Sequence, residues 1–293
     1  PDEPAAQCGP GVALGVSGNI TSNTTWLTGH VYVVTGNMVV NPGVTLTVPK
    51  GSVVKFGLWN WIDVNGTLDL STGTGADPIF TSAHDDEMCD SNNNGGTTQP
   101  VAASNGWDAL YLELGSNVLG SAQVRHSWGG LDVYNAGSGT LSPTIGGWVF
   151  DRNVSGMTLT ISGTGDVNPT IQNNTFTANR DGLVVRAIDP ADTGAARPTI
   201  STNTFINHVR FPIFLGATAF PTYSGNVFTT SGMRGIGLSG AWHQTGTLAL
   251  VPGSNDVPSS NMPYVVYERW LGDTSPTLGG RVTVTCECAA EYM

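Results

Sequence analysis

One eight-residue pattern recurs four times at constant phase: Pro143-Thr-Ile-Gly-Gly-Trp-Val-Phe150, Pro169-Thr-Ile-Gln-Asn-Asn-Thr-Phe176, Pro198-Thr-Ile-Ser-Thr-Asn-Thr-Phe205 and Pro221-Thr-Tyr-Ser-Gly-Asn-Val-Phe228. Successive phenylalanines lie 26, 29 and 23 residues apart. A repeat that keeps its internal phase while its spacing drifts is a structural unit whose loops absorb the variation. Short apolar runs follow the units, among them Met157–Ile161, Leu183–Ile188, Phe211–Leu215 and Ile236–Leu238. Such units are coils of a solenoid.

The N-terminal half carries the same signal with different turns: Val31–Val34, Met38–Val40, Val44–Val48, Val53–Phe56, Ile62–Val64 and Thr67–Leu70. Nearly every run alternates and ends at Gly, Asn or Pro, so each predicts a short strand with one inward and one outward face. Leu110–Leu114, Ala122–Arg125 and Leu131–Tyr134 continue the series. Helical periodicity is essentially absent. The 293 residues include 39 Gly and are only 11% charged, against roughly a quarter in ordinary globular chains. Columns of stacked apolar side chains in place of charged helix surface account for both departures. The spacing predicts one all-β domain of roughly nine or ten parallel coils over residues 26–250, with cap segments at 1–25 and 251–293. Asn174, Asn203 and Asn226, each two before a repeated Phe, are expected to stack as an amide ladder at one bend.

Pro42-Gly-Val-Thr-Leu-Thr-Val-Pro-Lys-Gly-Ser-Val-Val-Lys-Phe-Gly57, Val64-Asn-Gly-Thr-Leu-Asp-Leu70, Asp77-Pro-Ile-Phe-Thr-Ser82 and the Asn-Thr-Phe coils resemble the secreted parallel β-helix proteins of the broad pectate-lyase-like class. The resemblance implies a right-handed single-stranded β-helix, commonly exported, in a class holding both carbohydrate-active enzymes and noncatalytic surface or matrix proteins. It does not by itself imply catalysis.

The net charge of -11 opposes approach to nucleic acid, and no run approaches eighteen apolar residues, which excludes a membrane-spanning helix. A secreted, extracellular or cell-surface location is expected. Four cysteines, Cys8, Cys89, Cys286 and Cys288, suit disulfides. A direct Cys286–Cys288 bridge would strain an extended strand, so bridges from that pair to Cys8 and Cys89 are expected. A four-thiolate zinc site lacks the usual paired spacing. Five Asn-x-Ser/Thr sequons, at Asn19, Asn23, Asn65, Asn153 and Asn173, fit export but also chance.

The longest irregular stretch, residues 84–105, holds Asp85, Asp86, Glu87 and Asp90. Carboxylates this dense suit calcium, a hard ion preferring oxygen ligands, although EF-hand spacing is missing; a solvated acidic loop fastened by Cys89 is the competing reading, and no other cofactor is expected. Trp59, Trp61, Trp107, Tyr111, Trp128 and Tyr134 are candidates for an outward aromatic row on which sugar rings stack, or else for core packing. Asp181, Asp189, Asp192 and Arg186 form the densest candidate set for catalysis. Against an enzyme stand the missing Asn-Thr-Asp, Asp-Asp and Gly-His-Gly signatures of polygalacturonase-like proteins, a supply of only two lysines, and the absence of a Gly-x-Ser-x-Gly elbow. The expected function is a structural or binding protein recognising a neutral polysaccharide through exposed aromatics. The alternatives are a polysaccharide hydrolase or lyase, and a purely structural surface or filament component associating end to end.

Overall fold

The computed structural model describes residues 13–89, 99–229, 231–240, 242–249, 251, 262–266 and 282–284. The chain winds as a parallel β-solenoid of about eight turns, and among the described residues helix is limited to the short turns Asp86–Met88 and Ala102–Asn105. A 17-stranded sheet and smaller sheets of four, two, four and two strands run along the axis. Every strand pairs in parallel with its counterpart in the next coil; Thr144–Gly146, Thr170–Gln172, Thr199–Ser201 and Thr222–Ser224 form one such ladder.

The turn count falls below nine or ten because runs that look separate in sequence are sides of one coil. Val31–Val40 is a single ten-residue strand: its first four residues pair with Val53–Phe56 and its last three with Ile62–Val64. Pairing also begins earlier than residue 26, since Ala13–Ile20 is already laid parallel on Val31–Val40. At the other end Tyr264–Val266 and Val282–Val284 extend the ladder in parallel on Ile236–Leu238 and Gly246–Leu248.

The repeat translates directly into packing. Phe150, Phe176, Phe205 and Phe228 stack face to face with centroids 4.8, 4.7 and 5.0 Å apart, fully within the core. At the preceding bend the amide ladder is present: Asn174 N–H donates to Asn203 Oδ1 at 2.9 Å and Asn203 N–H to Asn226 Oδ1 at 3.0 Å. Each Nδ2 also donates to a core-strand carbonyl, Ile145, Ile171 or Ile200. Burying an amide is costly unless its donors and acceptor are filled; stacked copies fill one another. A second ladder, not anticipated, joins Asn153 and Asn179 at the next bend. It places the Asn153 sequon inside the molecule.

Candidate functional site

The long sheet turns one face to the core and the other outward, and strict alternation assigns the residues. Ile62, Leu110, Leu131, Met157 and Leu183 point inward with Val64, Leu112, Val133, Leu159 and Val185. The intervening positions form an outward grid of two rows. One row runs Asp63, Tyr111, Asp132, Thr158, Val184. The other runs Glu113, Tyr134, Thr160, Arg186, continuing the register of the same strands. Rows stand roughly 6.6 Å apart and neighbours within a row roughly 4.8 Å. Asp63, Asp132 and Glu113 therefore share one face, and Asp108, outward beyond the break in alternation at Ala109–Leu110 and bonded to Tyr111, joins them at its edge.

Asp132 is fully buried, with Oδ2 accepting from Arg186 Nη2 at 2.9 Å and Thr160 Oγ1 at 2.9 Å. Arg186 Nε also donates to Thr160 Oγ1 at 3.0 Å. Asp132 Oδ1 has no hydrogen-bond partner among the described residues. Tyr111 donates its hydroxyl to Asp108 at 3.0 Å and meets Tyr134 edge to face at 6.1 Å. Burial raises the Asp63, Asp108 and Asp132 carboxyls above their ordinary values. Glu113 is pushed up to about 7, first by burial and then by the charges of Asp63 and Asp132. The face has more negative charge than Arg186 neutralises.

Two tryptophans border the grid. The Trp59 backbone is left-handed, φ 62°, a conformation that bulky residues rarely hold, and one that this chain also uses at coil bends such as Arg152, Ala178 and Thr202. It is held in a tight turn closed by Asn60 N–H to Gly57 O at 3.1 Å; a Cβ at Gly57 would meet Asn60 Nδ2 at 2.8 Å. The turn leaves Trp59 47% exposed. Trp128 lies in a bulge of strand Ser127–Asn135, where Ser127 pairs with Trp107 and Gly130 with Ala109, so Trp128 and Gly129 together oppose Asp108. Bulges re-aim side chains, and this one places the Trp128 ring 5.4 Å from Trp59. The bulge depends on Gly130 at φ 63°, whose Cβ would fall 1.7 Å from Gly156 O. Asp108 N–H donates to Asn60 O and Trp59 N–H to Gly106 O, so Asp108 connects the aromatic pair to the polar grid.

Of the expected aromatic row, Trp59, Trp128, Tyr111 and Tyr134 assemble here, and Trp61 is half-buried on the same turn. Trp107 is a correction: it is fully buried, stacked on Phe56 at 4.0 Å, with Nε1 donating to Arg125 O at 2.8 Å. Ala109 and Leu110 are both buried, and this break in the alternation turns Trp107 inward. The expected acid set does not assemble. Asp181 and Arg186 stand near opposite ends of the strand Asp181–Ala187, roughly 16 Å apart at about 3.3 Å per residue. Asp181 is buried between Arg210 (2.5 Å) and Arg180 (3.4 Å), the latter in the bend just before the strand. Asp189 and Asp192 accept from turn backbone N–H groups. Only Arg186 belongs to the grid.

Two carboxylates of the 84–105 segment, Asp85 and Glu87, are engaged with arginines. Asp85 is buried, bonded to Thr81 Oγ1 at 2.6 Å, with Arg125 and His126 each at 3.7 Å. Glu87 binds Arg125, Arg152 and Gln99. Asp86 is also partnered, and Asp90 lies outside the described residues. Beneath them Lys55 is fully buried and donates to the Asp85 and Cys89 carbonyls, so the segment is clamped onto the solenoid. Among the described residues no group of three or more His, Cys, Asp or Glu side chains is placed to hold a metal ion. Cys89 is the one described cysteine and is not a free thiol; Cys8, Cys286 and Cys288 lie outside the described residues. No described helix is long and apolar enough to cross a membrane.

Sequence reasoning missed Asp63, Asp108, Glu113 and Asp132. Two of them carried a signal, the carboxylate between inward apolar residues in Ile62-Asp-Val64 and Leu131-Asp-Val133, but their adjacency depends on inter-coil register. No curated protein and no solved structure matches the chain. A family model described as a protein of unknown function, DUF1565, matches residues 117–233, which takes in Trp128, Asp132, Tyr134 and Arg186 and stops short of the other half of the site.

Proposed function

We propose that this protein is an extracellular or cell-surface polysaccharide-binding solenoid of the pectate-lyase-like class, and that the Trp59–Trp128 pair with the outward grid beside it is its glycan site. One observation carries the reading: an exposed indole in a strained backbone conformation, paired with a second indole that a bulge turns toward it. Sugar rings present C–H faces that stack on indoles, and equatorial hydroxyls that donate to carboxylates and tyrosines. The negative face disfavours uronate polymers, because like charges repel. Repeated weak contacts along a rigid rod add by effective concentration.

Binding to an array of neutral and anionic glycans tests the reading. Retention of neutral glycans by the wild type, lost in the W59A/W128A double variant, supports it; retention confined to anionic glycans, or unaltered in that variant, rejects it.

Glu113 favours a second reading, hydrolysis of the bound glycan. A carboxyl pushed up to about 7 is poised to donate a proton to a leaving oxygen. Release of reducing ends that stops in E113Q supports hydrolysis; glycan bound and recovered intact supports binding alone.

A further inference from the structure

The grid carries Asp63, Asp108, Glu113 and Asp132 against the single guanidinium of Arg186. Arg186 satisfies one oxygen of Asp132, while the other, on a fully buried side chain, has no hydrogen-bond partner among the described residues. Asp63 Oδ1 is likewise buried and unpartnered. Carboxylates crowded without enough counter-charge retain protons, and a ligand that supplies positive charge releases them. The indoles of Trp59 and Trp128 stand where the acidic face meets solvent, and aromatic faces attract cations as well as sugar C–H groups. A metal ion is a poor match, because the carboxylates are spread over two rows instead of converging on a point, and no metal-holding group occurs among the described residues.

We infer that the site selects a cationic glycan, an amino-sugar polymer with free protonated amines, whose ammonium groups lie against Asp63 and Glu113, over the buried charge of Asp132, while its rings stack on Trp59 and Trp128. This rests on the glycan-binding reading above and narrows it from neutral sugars to hexosamines bearing unsubstituted amines. An acylated amine loses the charge that the face lacks; a free amine supplies it at the spacing of successive sugars. Because Glu113 is protonated near neutral pH in the free protein, binding of the cation displaces protons to solvent.

The test is calorimetric titration at pH 6 with glucosamine hexamer, N-acetylglucosamine hexamer and cellohexaose. It is run in two buffers of different ionisation enthalpy and at 50 and 500 mM NaCl. The inference expects the free-amine hexamer to bind at least tenfold more tightly than either neutral hexamer, to weaken severalfold at high salt, and to release protons on binding. It also expects E113Q and D63N, each still folded with a cooperative melting transition at pH 6, to lose most of that preference. Equal affinity for the three hexamers, or tighter binding of a neutral one, overturns the amino-sugar assignment and leaves glycan binding standing. Binding of none overturns both. A free-amine preference undiminished in E113Q and D63N moves the cation elsewhere and overturns the assignment of this face.

Discussion

Arg186 reaches across two coils to Asp132, its Nη2 2.9 Å from Oδ2 of a carboxylate that has no solvent exposure. The acid is the buried partner and the base is partly in water, so the pair is asymmetric. Removing Arg186 leaves the carboxylate buried without its countercharge, the costly way to break such a pair. R186L is expected to destabilise the fold by about 1–3 kcal/mol, below the cost for a fully buried pair because the guanidinium reaches solvent. In a D132N background the same change costs less. Denaturant titration of the four proteins in a double-mutant cycle measures the coupling; additive losses contradict the pairing.

Asn203 is the centre of the amide ladder, accepting from Asn174 and donating to Asn226 and Ile171. Asn203→Ala takes the acceptor from the buried Asn174 N–H and Nδ2 and a donor from the Ile171 carbonyl, and leaves Asn226 Oδ1 with the Asn203 N–H alone. A loss of about 3 kcal/mol or more is expected, against less than about 1 kcal/mol for exposed Asn173→Ala. Chemical denaturation of the two variants checks the contrast, and similar small losses would show that the ladder contributes little.

Trp107 and Trp59 were alike in sequence and are opposite in structure. W107A removes a fully buried ring stacked on Phe56 and is expected to cost about 3–5 kcal/mol, with W107F recovering most of it. W59A removes an exposed ring and relieves a left-handed backbone less than a glycine would. Its melting temperature should stay within about 2 °C of wild type. Thermal scans that rank the two the other way contradict the burial assignment.

The Glu113 carboxyl titrates near 7 in the fold against 4.5 ordinarily, so between those values the folded state holds the extra proton. Stability contributed by this group is therefore greatest below about 4.5 and is lost as pH rises through 7. His126 and His208 act in the opposite sense: burial lowers both to about 4, so their share is lost as pH falls from 6.5 through 4. The difference between wild type and E113Q isolates the carboxyl. Wild type should gain on E113Q as pH is lowered from 8 to 5; a difference flat across that window contradicts the crowded-carboxylate account.

The fold was legible because a solenoid writes its register into the chain. The recurrent Pro-Thr-Ile and Phe positions predicted the aromatic stack, and the Asn two residues earlier predicted the ladder, since both are repeated at one place per coil. The count of turns was less legible: the runs Val31–Val34 and Met38–Val40 predicted two short strands where one ten-residue strand carries both. The site was legible only in halves. Tyr111, Tyr134, Trp59 and Trp128 drew notice as aromatics and Arg186 as a charge. Asp63, Asp108, Glu113 and Asp132 are scattered over 70 positions, 63 to 132, and meet only when three coils are laid in register. Trp107 misled because two consecutive inward residues, Ala109 and Leu110, break the alternation that would have identified it as inward.

The central claim is that the Trp59–Trp128 pair and the grid beside it form the ligand surface. Calorimetric titration of one bound hexasaccharide into wild type and W59A/W128A tests it, with melting temperatures recorded on the same samples. The account predicts at least a tenfold loss of affinity in the double variant with its melting temperature within about 3 °C of wild type. Undiminished affinity in the folded double variant would contradict it.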